Sequence, residues 1–215
     1  MKTESETLFE QFCLTKGISL TKIPEGKTKT SDYWININDY KFIIELTQFN
    51  INDEEKDLTK SLIHNNIIVY RPGDEKRVRQ KIKDKSVQLK PYKDYPTILM
   101  FYDNRSIFST LDQDSIKYAL YGDDEYNYSY EAEEDKIVFI ERTFGRGKTF
   151  TIENKKYISA IGIIKIIDSN CEVILYHNHF AELPLDISIC KTFTERQYKI
   201  VIDSYHQSDW VKVNF

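Results

Sequence analysis

Two acidic residues stand at positions where a β-hairpin would bring them face to face. Residues 32–37 and 40–49 alternate apolar and polar side chains, which is typical of strands, and Asn38-Asp39 separates the two runs. If Asn38-Asp39 is a two-residue turn, the numbers of every antiparallel pair sum to 77. The numbers 32 and 45 also sum to 77. The spacing therefore predicts that Asp32 and Glu45 lie directly opposite each other, with Cβ atoms about 4.5–5.5 Å apart.

Two carboxylates at that distance repel each other unless they share a proton or a cation. A hard divalent cation such as Mg²⁺ suits them, because it takes oxygen ligands and keeps several waters. Thr47 lies two residues beyond Glu45 and so shares its face of the strand. The spacing leaves one alternative open, a solvated pair of surface acids without a function.

The elements that must position this hairpin can be predicted from apolar periodicity. Helices are predicted at residues 4–16, about 75–90 and 112–121, and further strands at 96–102 and in the β-rich runs after residue 136. Residues 53–66 are polar and show no clear pattern. This mixture predicts a single α/β domain over residues 1–215, with a mixed sheet flanked by helices.

Composition excludes several classes of protein. Hydrophobic residues make up 40% of the chain, so it is neither a disordered tail nor a membrane protein, and a net charge of −4 excludes a uniformly basic nucleic-acid coat. The three cysteines show no C-x-x-C spacing, which excludes a zinc knuckle and indicates a reducing compartment. The first residues are acidic, and no apolar run approaches the roughly 20 residues of a membrane span. We therefore expect a soluble, cytoplasmic protein with no membrane partner.

The segment SDYWININDYKFIIELT resembles the core motif of the PD-(D/E)XK nuclease superfamily, in which one acid opens a strand and a second acid lies on the next. Asp32 matches the first acid and Glu45 the second. The resemblance implies a restriction-endonuclease-like fold with extra C-terminal strands, and hydrolysis of DNA phosphodiester bonds with Mg²⁺ or Mn²⁺. It places the metal on Asp32, Glu45 and the carbonyl of Leu46. It also implies a further catalytic acid on the first helix, Glu10 or Glu6, although Glu6 and Thr3 have the spacing of a capping box.

The chain departs from the motif at two positions. Ser31 replaces the usual proline, and Thr47 replaces the motif lysine, which in this family orients the attacking water and offsets phosphate charge. A threonine hydroxyl can hydrogen-bond a water but carries no positive charge. Thr47 acting through a water, or a lysine recruited from elsewhere, would then complete the site. The candidate lysines are Lys41, Lys29, Lys81 and Lys85.

The second predicted helix carries a basic ridge. Basic residues outnumber acidic ones strongly between Arg71 and Lys90, and Arg77, Lys81 and Lys85 recur every four residues. Such a ridge can neutralise backbone phosphates without reading bases. The resemblance places this helix beside the active-site sheet, with Lys85 and Gln88 directed toward DNA. An ordinary solvated amphipathic helix is the alternative.

Two other functions remain compatible with the sequence. A nuclease-like protein that has lost catalysis, as Thr47 suggests, would bind nucleic acid or a protein partner. A regulatory module would instead use the acidic, tyrosine-rich residues 123–135, for which a solvated loop is the favoured interpretation. DNA is the partner we expect, and the sequence leaves a protein partner and a homodimer open.

Overall fold

The computed structural model describes residues 2–26, 29–65, 74–105, 111–168, 170–202 and 209–215. The helices are α1 (Glu4–Thr15), α2 (Asp53–Asn65), α3 (Asp74–Leu89), α4 (Gln113–Tyr121) and α5 (Ile187–Phe193), with a 3-10 turn at Lys90–Tyr92. The strands are β1 (Ser19–Lys22), β2 (Tyr33–Ile37), β3 (Tyr40–Phe49), β4 (Thr97–Asp103), β5 (Asp124–Glu131), β6 (Lys136–Phe144), β7 (Ala160–Ile167), β8 (Asn170–His177), β9 (Gln197–Lys199) and β10 (Val211–Lys212).

Eight of these strands form one mixed sheet in the order β1-β2-β3-β4-β7-β8-β9-β10. β3 pairs with β4, β4 with β7 and β8 with β9 in parallel, and the other neighbours are antiparallel. β3 is an inner strand between β2 and β4, so both of its faces are covered by packed side chains.

One face of the sheet packs against α1 and α5. Phe12 of α1 meets Phe193 of α5 edge to face, with ring centroids 5.4 Å apart. Phe42, Ile44 and Leu46 of β3 are buried in the same cluster. Every second residue of β3 therefore points to this face, and the residues between them point to the other.

The opposite face packs against α3 and α4. The predicted apolar stripe of α3, Val78, Ile82 and Leu89, is fully buried there. Ile43 and Phe49 of β3 belong to the same cluster. Strand alternation consequently places the side chains of Glu45 and Thr47 on the α3 side of the sheet.

The predicted α/β class, with a mixed sheet flanked by helices, is confirmed. One interpretation needs correction: the acidic, tyrosine-rich residues from Asp124 onward form the strand β5 rather than a loop. The polar residues after Asn52, for which the sequence predicts no element, form the helix α2. Arg71, counted with the basic ridge, lies outside the described residues. In the described part of the chain, no helix has the length and apolar character needed to cross a membrane.

Candidate functional site

The β2–β3 hairpin has the predicted register. Asn38 and Asp39 both adopt positive φ, 50° and 65°, which is the signature of a type I′ turn. The ladder begins at the pair Ile37–Tyr40 beside the turn and continues to the pair Tyr33–Ile44. One further step along the two strands brings Asp32 beside Glu45, as the arithmetic predicted.

Asp32 is held by main-chain hydrogen bonds at the point where the ladder ends. Its N–H donates to the carbonyl of Ile44 at 3.1 Å, and its own carbonyl accepts from the N–H of Ile23 at 2.8 Å. Its carboxylate Oδ2 accepts the N–H of Leu46 at 2.7 Å. The side chain is therefore fixed across β3, next to Glu45.

Glu45 is 1% exposed and its two oxygens differ in their partners. Oε1 accepts hydrogen bonds from Lys85 Nζ at 3.1 Å and from Gln88 Nε2 at 2.7 Å. Oε2 is buried and receives no hydrogen bond from any described residue. A buried carboxylate oxygen without a donor is costly unless it gains a proton or a cation.

We call Asp32 and Glu45 the acid pair, because each carboxyl group affects the pKa of the other. Burial raises the pKa of Glu45 to about 8, and the charge of Asp32 adds to that rise, while Lys85 opposes it. Burial also raises the pKa of Asp32, although the N–H of Leu46 and the charge of Lys85 counteract it. The two carboxyl groups are therefore close enough for the protonation state of one to affect the pKa of the other.

The pH dependence of folding stability should reveal the raised pKa of Glu45. The pKa of Glu45 is raised in the native state, so between pH 4.5 and about 8 the folded protein binds more protons than the unfolded chain. The stabilising contribution of this raised pKa to the free energy of unfolding is therefore fully present below pH 4.5 and is lost as pH rises to about 8. We expect Glu45→Gln to gain stability relative to the wild type across this window, by up to about 1.4 kcal/mol per pH unit.

Urea denaturation of both proteins at a series of pH values measures this difference. Glutamine keeps the size of the side chain and does not titrate, so other groups cancel in the comparison. A difference that is flat, or that falls as pH rises, would contradict a raised pKa of Glu45 in the native state.

An open cleft of about 340 Å³ lies beside the acid pair. Asp32, Lys85 and Gln88 line it together with the segment that precedes β2, including Lys22 and Lys29. The cleft is lined by three lysines and by two acids, Glu25 and Asp32, and two of the lysines are already paired with carboxylates of the protein. An anion that enters the cleft would meet these lysines next to the two carboxyl groups.

The predicted basic ridge lies along β3 rather than in open solvent. Lys85 reaches Glu45, Lys81 Nζ lies 5.7 Å from the ring centroid of Phe49, and Arg77 donates to Glu55 at 2.7 Å. Burial lowers the pKa of Lys81, and the neighbouring charges of Lys85 and Arg77 lower it further. Arg77 is thus engaged within the protein, whereas Lys85 lies at the acid pair and lines the cleft.

Of the other two residues predicted to be catalytic, Thr47 lies on the same face of the sheet as Glu45 and Glu10 lies on the opposite face. Thr47 is buried on the same face as Glu45, one step closer to Phe49. Glu10 contacts Tyr33 at 2.7 Å and Lys2 at 2.5 Å, on the α1 side of the sheet. The acid of α1 whose charge acts on Asp32 is Glu6.

Glu6 also serves the start of its own helix. It forms the predicted capping box with Thr3, and Lys22 donates to its Oε1 at 2.8 Å. Among the candidate lysines, Lys85 hydrogen-bonds the acid pair, Lys29 lines the cleft, and Lys41 is exposed at the far end of β3. The contribution of Lys22 to the cleft was not predicted, and its place in a short edge strand gave no signal for it.

Carboxylates are the natural ligands for a hard cation here, and the unpartnered Oε2 of Glu45 beside Asp32 fits such a ligand role. Across the described ranges, no group of three or more His, Cys, Asp or Glu side chains is arranged to hold a metal ion. Comparison of the chain with protein-family models, with curated proteins and with solved structures finds no match. The site must therefore be interpreted from its own geometry and from the motif resemblance.

Proposed function

We propose that this protein is a metal-dependent nuclease that hydrolyses DNA phosphodiester bonds. The observation that carries the proposal is the position of Lys85. Its ammonium lies 3.1 Å from Glu45 Oε1, beside two buried carboxyl groups, in a chain whose motif lysine is replaced by Thr47. α3 thus supplies a positive charge beside Glu45, which Thr47 at the motif position of β3 cannot supply.

Asp32 and Glu45 would hold Mg²⁺ or Mn²⁺ with the main-chain carbonyl of Leu46, and Glu45 Oε2 is the oxygen free to do so. When bound, such a cation polarises a phosphate oxygen and lowers the pKa of a coordinated water. Glu45 must lose its proton to bind a cation, so metal affinity should increase with pH up to about 8.

The remaining roles belong to side chains around the cleft. Lys85 would offset the charge of the scissile phosphate and hydrogen-bond the attacking water. Gln88 donates to Glu45 at 2.7 Å and so keeps that carboxylate in position beside Asp32. Lys22 and Lys29 line the same cleft and would neutralise neighbouring backbone phosphates without reading bases.

A second candidate function is DNA binding without catalysis. Thr47 favours it, because this residue cannot supply the charge of the motif lysine, and Lys85 is already committed to Glu45 in a hydrogen bond. In that case the lysine-lined cleft would still bind DNA, while the acid pair would no longer take part in catalysis.

Cleavage of supercoiled plasmid in Mg²⁺ or Mn²⁺, compared with the same reaction in chelator, separates the two candidates. Metal-dependent conversion to nicked or linear DNA supports the nuclease. Intact plasmid that nevertheless binds the protein in a salt-dependent manner supports the second candidate and overturns the first.

Exchanging the position of the lysine tests its role. Lys85→Ala should reduce the cleavage rate by about 10²-fold, which is typical for loss of one electrostatic stabilising group. The double variant Lys85→Ala/Thr47→Lys should recover much of that rate, because it returns a lysine to the face of β3 that carries Glu45.

Lys83→Ala is the matched control, since Lys83 lies on the same helix but is exposed. It should cut at the wild-type rate. Equal rates for Lys83→Ala and Lys85→Ala would exclude a catalytic role for Lys85. Denaturation of each variant shows whether the buried position of Thr47 accepts lysine without unfolding.

A further inference from the structure

Strands β5 and β6 form a separate two-stranded antiparallel ribbon, which is not hydrogen-bonded into the large sheet. Its base is fixed to the protein. Phe144 stacks on Tyr121 with ring centroids 5.2 Å apart, and Arg142 donates to Asp124 at 2.6 Å and to Asp209 at 2.9 Å. The ribbon is therefore anchored at one end, while its turn lies at the other.

One face of the ribbon carries exposed aromatic side chains. Phe139 contacts both Tyr128 and Tyr126 there, with ring centroids 5.7 Å and 6.4 Å apart. These three side chains are 53%, 61% and 50% exposed, and Tyr130 and Ile137 beside them are 61% and 74% exposed. An isolated two-stranded ribbon is marginally stable in water, and a contiguous exposed apolar patch indicates an interaction site.

The charge of the ribbon limits the kind of partner. Residues 123–144 contain eight acidic and two basic residues, a net charge of −6 in a chain whose total is −4. Both basic residues already pair with carboxylates of the protein, Lys136 with Glu131 and Glu134, and Arg142 with Asp124 and Asp209. This excess of negative charge repels nucleic acid and would also oppose a symmetric contact between two ribbons.

We propose that the ribbon is a docking surface for a basic protein segment. Arginine and lysine side chains of such a partner would lie over the exposed tyrosine rings, and the surrounding carboxylates would pair with the same cations. The ribbon itself contains one contact of this type, because the guanidinium of Arg142 lies 5.9 Å from the ring centroid of Tyr126. This surface is distinct from the acid pair and does not depend on whether the protein cuts DNA.

A fluorescein-labelled short peptide of alternating arginine and valine, titrated with the full chain and followed by fluorescence anisotropy, tests the proposal. We expect saturable binding that weakens with salt. Tyr128→Ser/Phe139→Ser should weaken the affinity by about tenfold, because two exposed rings are lost. Ile152→Ser is the matched control, since Ile152 is 75% exposed outside the ribbon, and it should bind as the wild type does.

A second variant distinguishes a loss of binding contacts from unfolding of the ribbon. Glu133→Gln/Glu134→Gln changes exposed charges near the turn without removing apolar contacts, and it should weaken binding and reduce its dependence on salt. Equal affinity of the wild type and both ribbon variants would overturn the proposal. The proposal would also be overturned if a DNA oligonucleotide bound the wild type but not the aromatic variant. Self-association of the wild type that is absent in the aromatic variant would overturn it as well.

Discussion

Replacing Glu45 with glutamine is expected to reduce metal-dependent DNA cleavage on the order of a thousandfold, while making the metal-free protein more stable above pH 8. Glutamine retains an oxygen that can accept from Lys85 and gains an amide that can donate to Asp32. It removes the anionic oxygen, Oε2, that the structure leaves without a donor. Activity and stability should therefore change in opposite directions, which simple unfolding cannot produce.

The cation itself provides a readout that does not require catalysis. Mg²⁺ should raise the thermal midpoint of the wild type at pH 8, because a ligand that binds the native state stabilises it by mass action. The midpoint of Glu45→Gln should not respond to Mg²⁺. Equal shifts in both proteins would place the metal elsewhere and would remove the acid pair from the proposed site.

Glu10→Gln is the matched control for this experiment, because Glu10 is one of the two α1 acids, with Glu6, that the motif resemblance offered for catalysis. Its carboxylate is occupied by Tyr33 and Lys2. We expect its loss to change the cleavage rate by less than about tenfold, since its effect on the site is indirect. A loss comparable to that of Glu45→Gln would restore Glu10 to the catalytic machinery.

The geometry of the acid pair could be predicted from the sequence because a two-residue turn fixes register by counting. Once Asn38-Asp39 is the turn, no freedom remains in which residues face each other, and a slip by one residue would reverse both faces. The stripe of α3 was predictable for a similar reason, since Val78, Ile82 and Leu89 follow the helical period.

The identity of the lysine could not be predicted, because it depends on how two distant elements pack. Lys85 and Glu45 are forty residues apart, and their contact depends on the position of α3 against β3. Lys41 on β3 and Lys81 on α3 were also candidates, and no feature of the sequence alone ranks them below Lys85. The one local hint is that Lys85 and Gln88 are three residues apart, so they lie on the same helix face and reach the same carboxylate.

The helix α2 could not be predicted, and β5 was wrongly interpreted as a loop, for a related reason. Neither segment buries enough apolar surface to show a period, so each depends on specific contacts that the sequence does not display. In α2 the contact is ionic: Glu55 caps the N–H of Asn52 at 2.9 Å and accepts from Arg77 at 2.7 Å. In β5 it is the cross-strand pairing with β6.

A buried ion cluster centred on Arg105 connects the end of β4 to the helices α2 and α3. The side chain of Arg105 is 0% exposed, and it donates to both oxygens of Asp74 at 2.7 and 2.8 Å, to Asp103 at 2.7 and 2.6 Å, and to Glu55 at 3.2 Å. It thereby joins the end of β4 to the first residue of α3 and to α2. A bidentate arginine suits this position, because its planar fork matches two carboxylate oxygens at once.

Arg105→Met should lower the free energy of unfolding by about 3–5 kcal/mol, since it keeps most of the side-chain volume but removes the buried cation to which Asp74 and Asp103 are hydrogen-bonded. Urea denaturation measures the change. Arg196→Met is the matched control, because its ion pair with Glu172 is partly exposed and is expected to contribute less than about 1 kcal/mol. Equal losses in the two variants would contradict a dominant role for burial.

Because Asp74 begins the helix that carries Lys85, we also expect Arg105→Met to lower the cleavage rate, even under conditions where the variant remains folded.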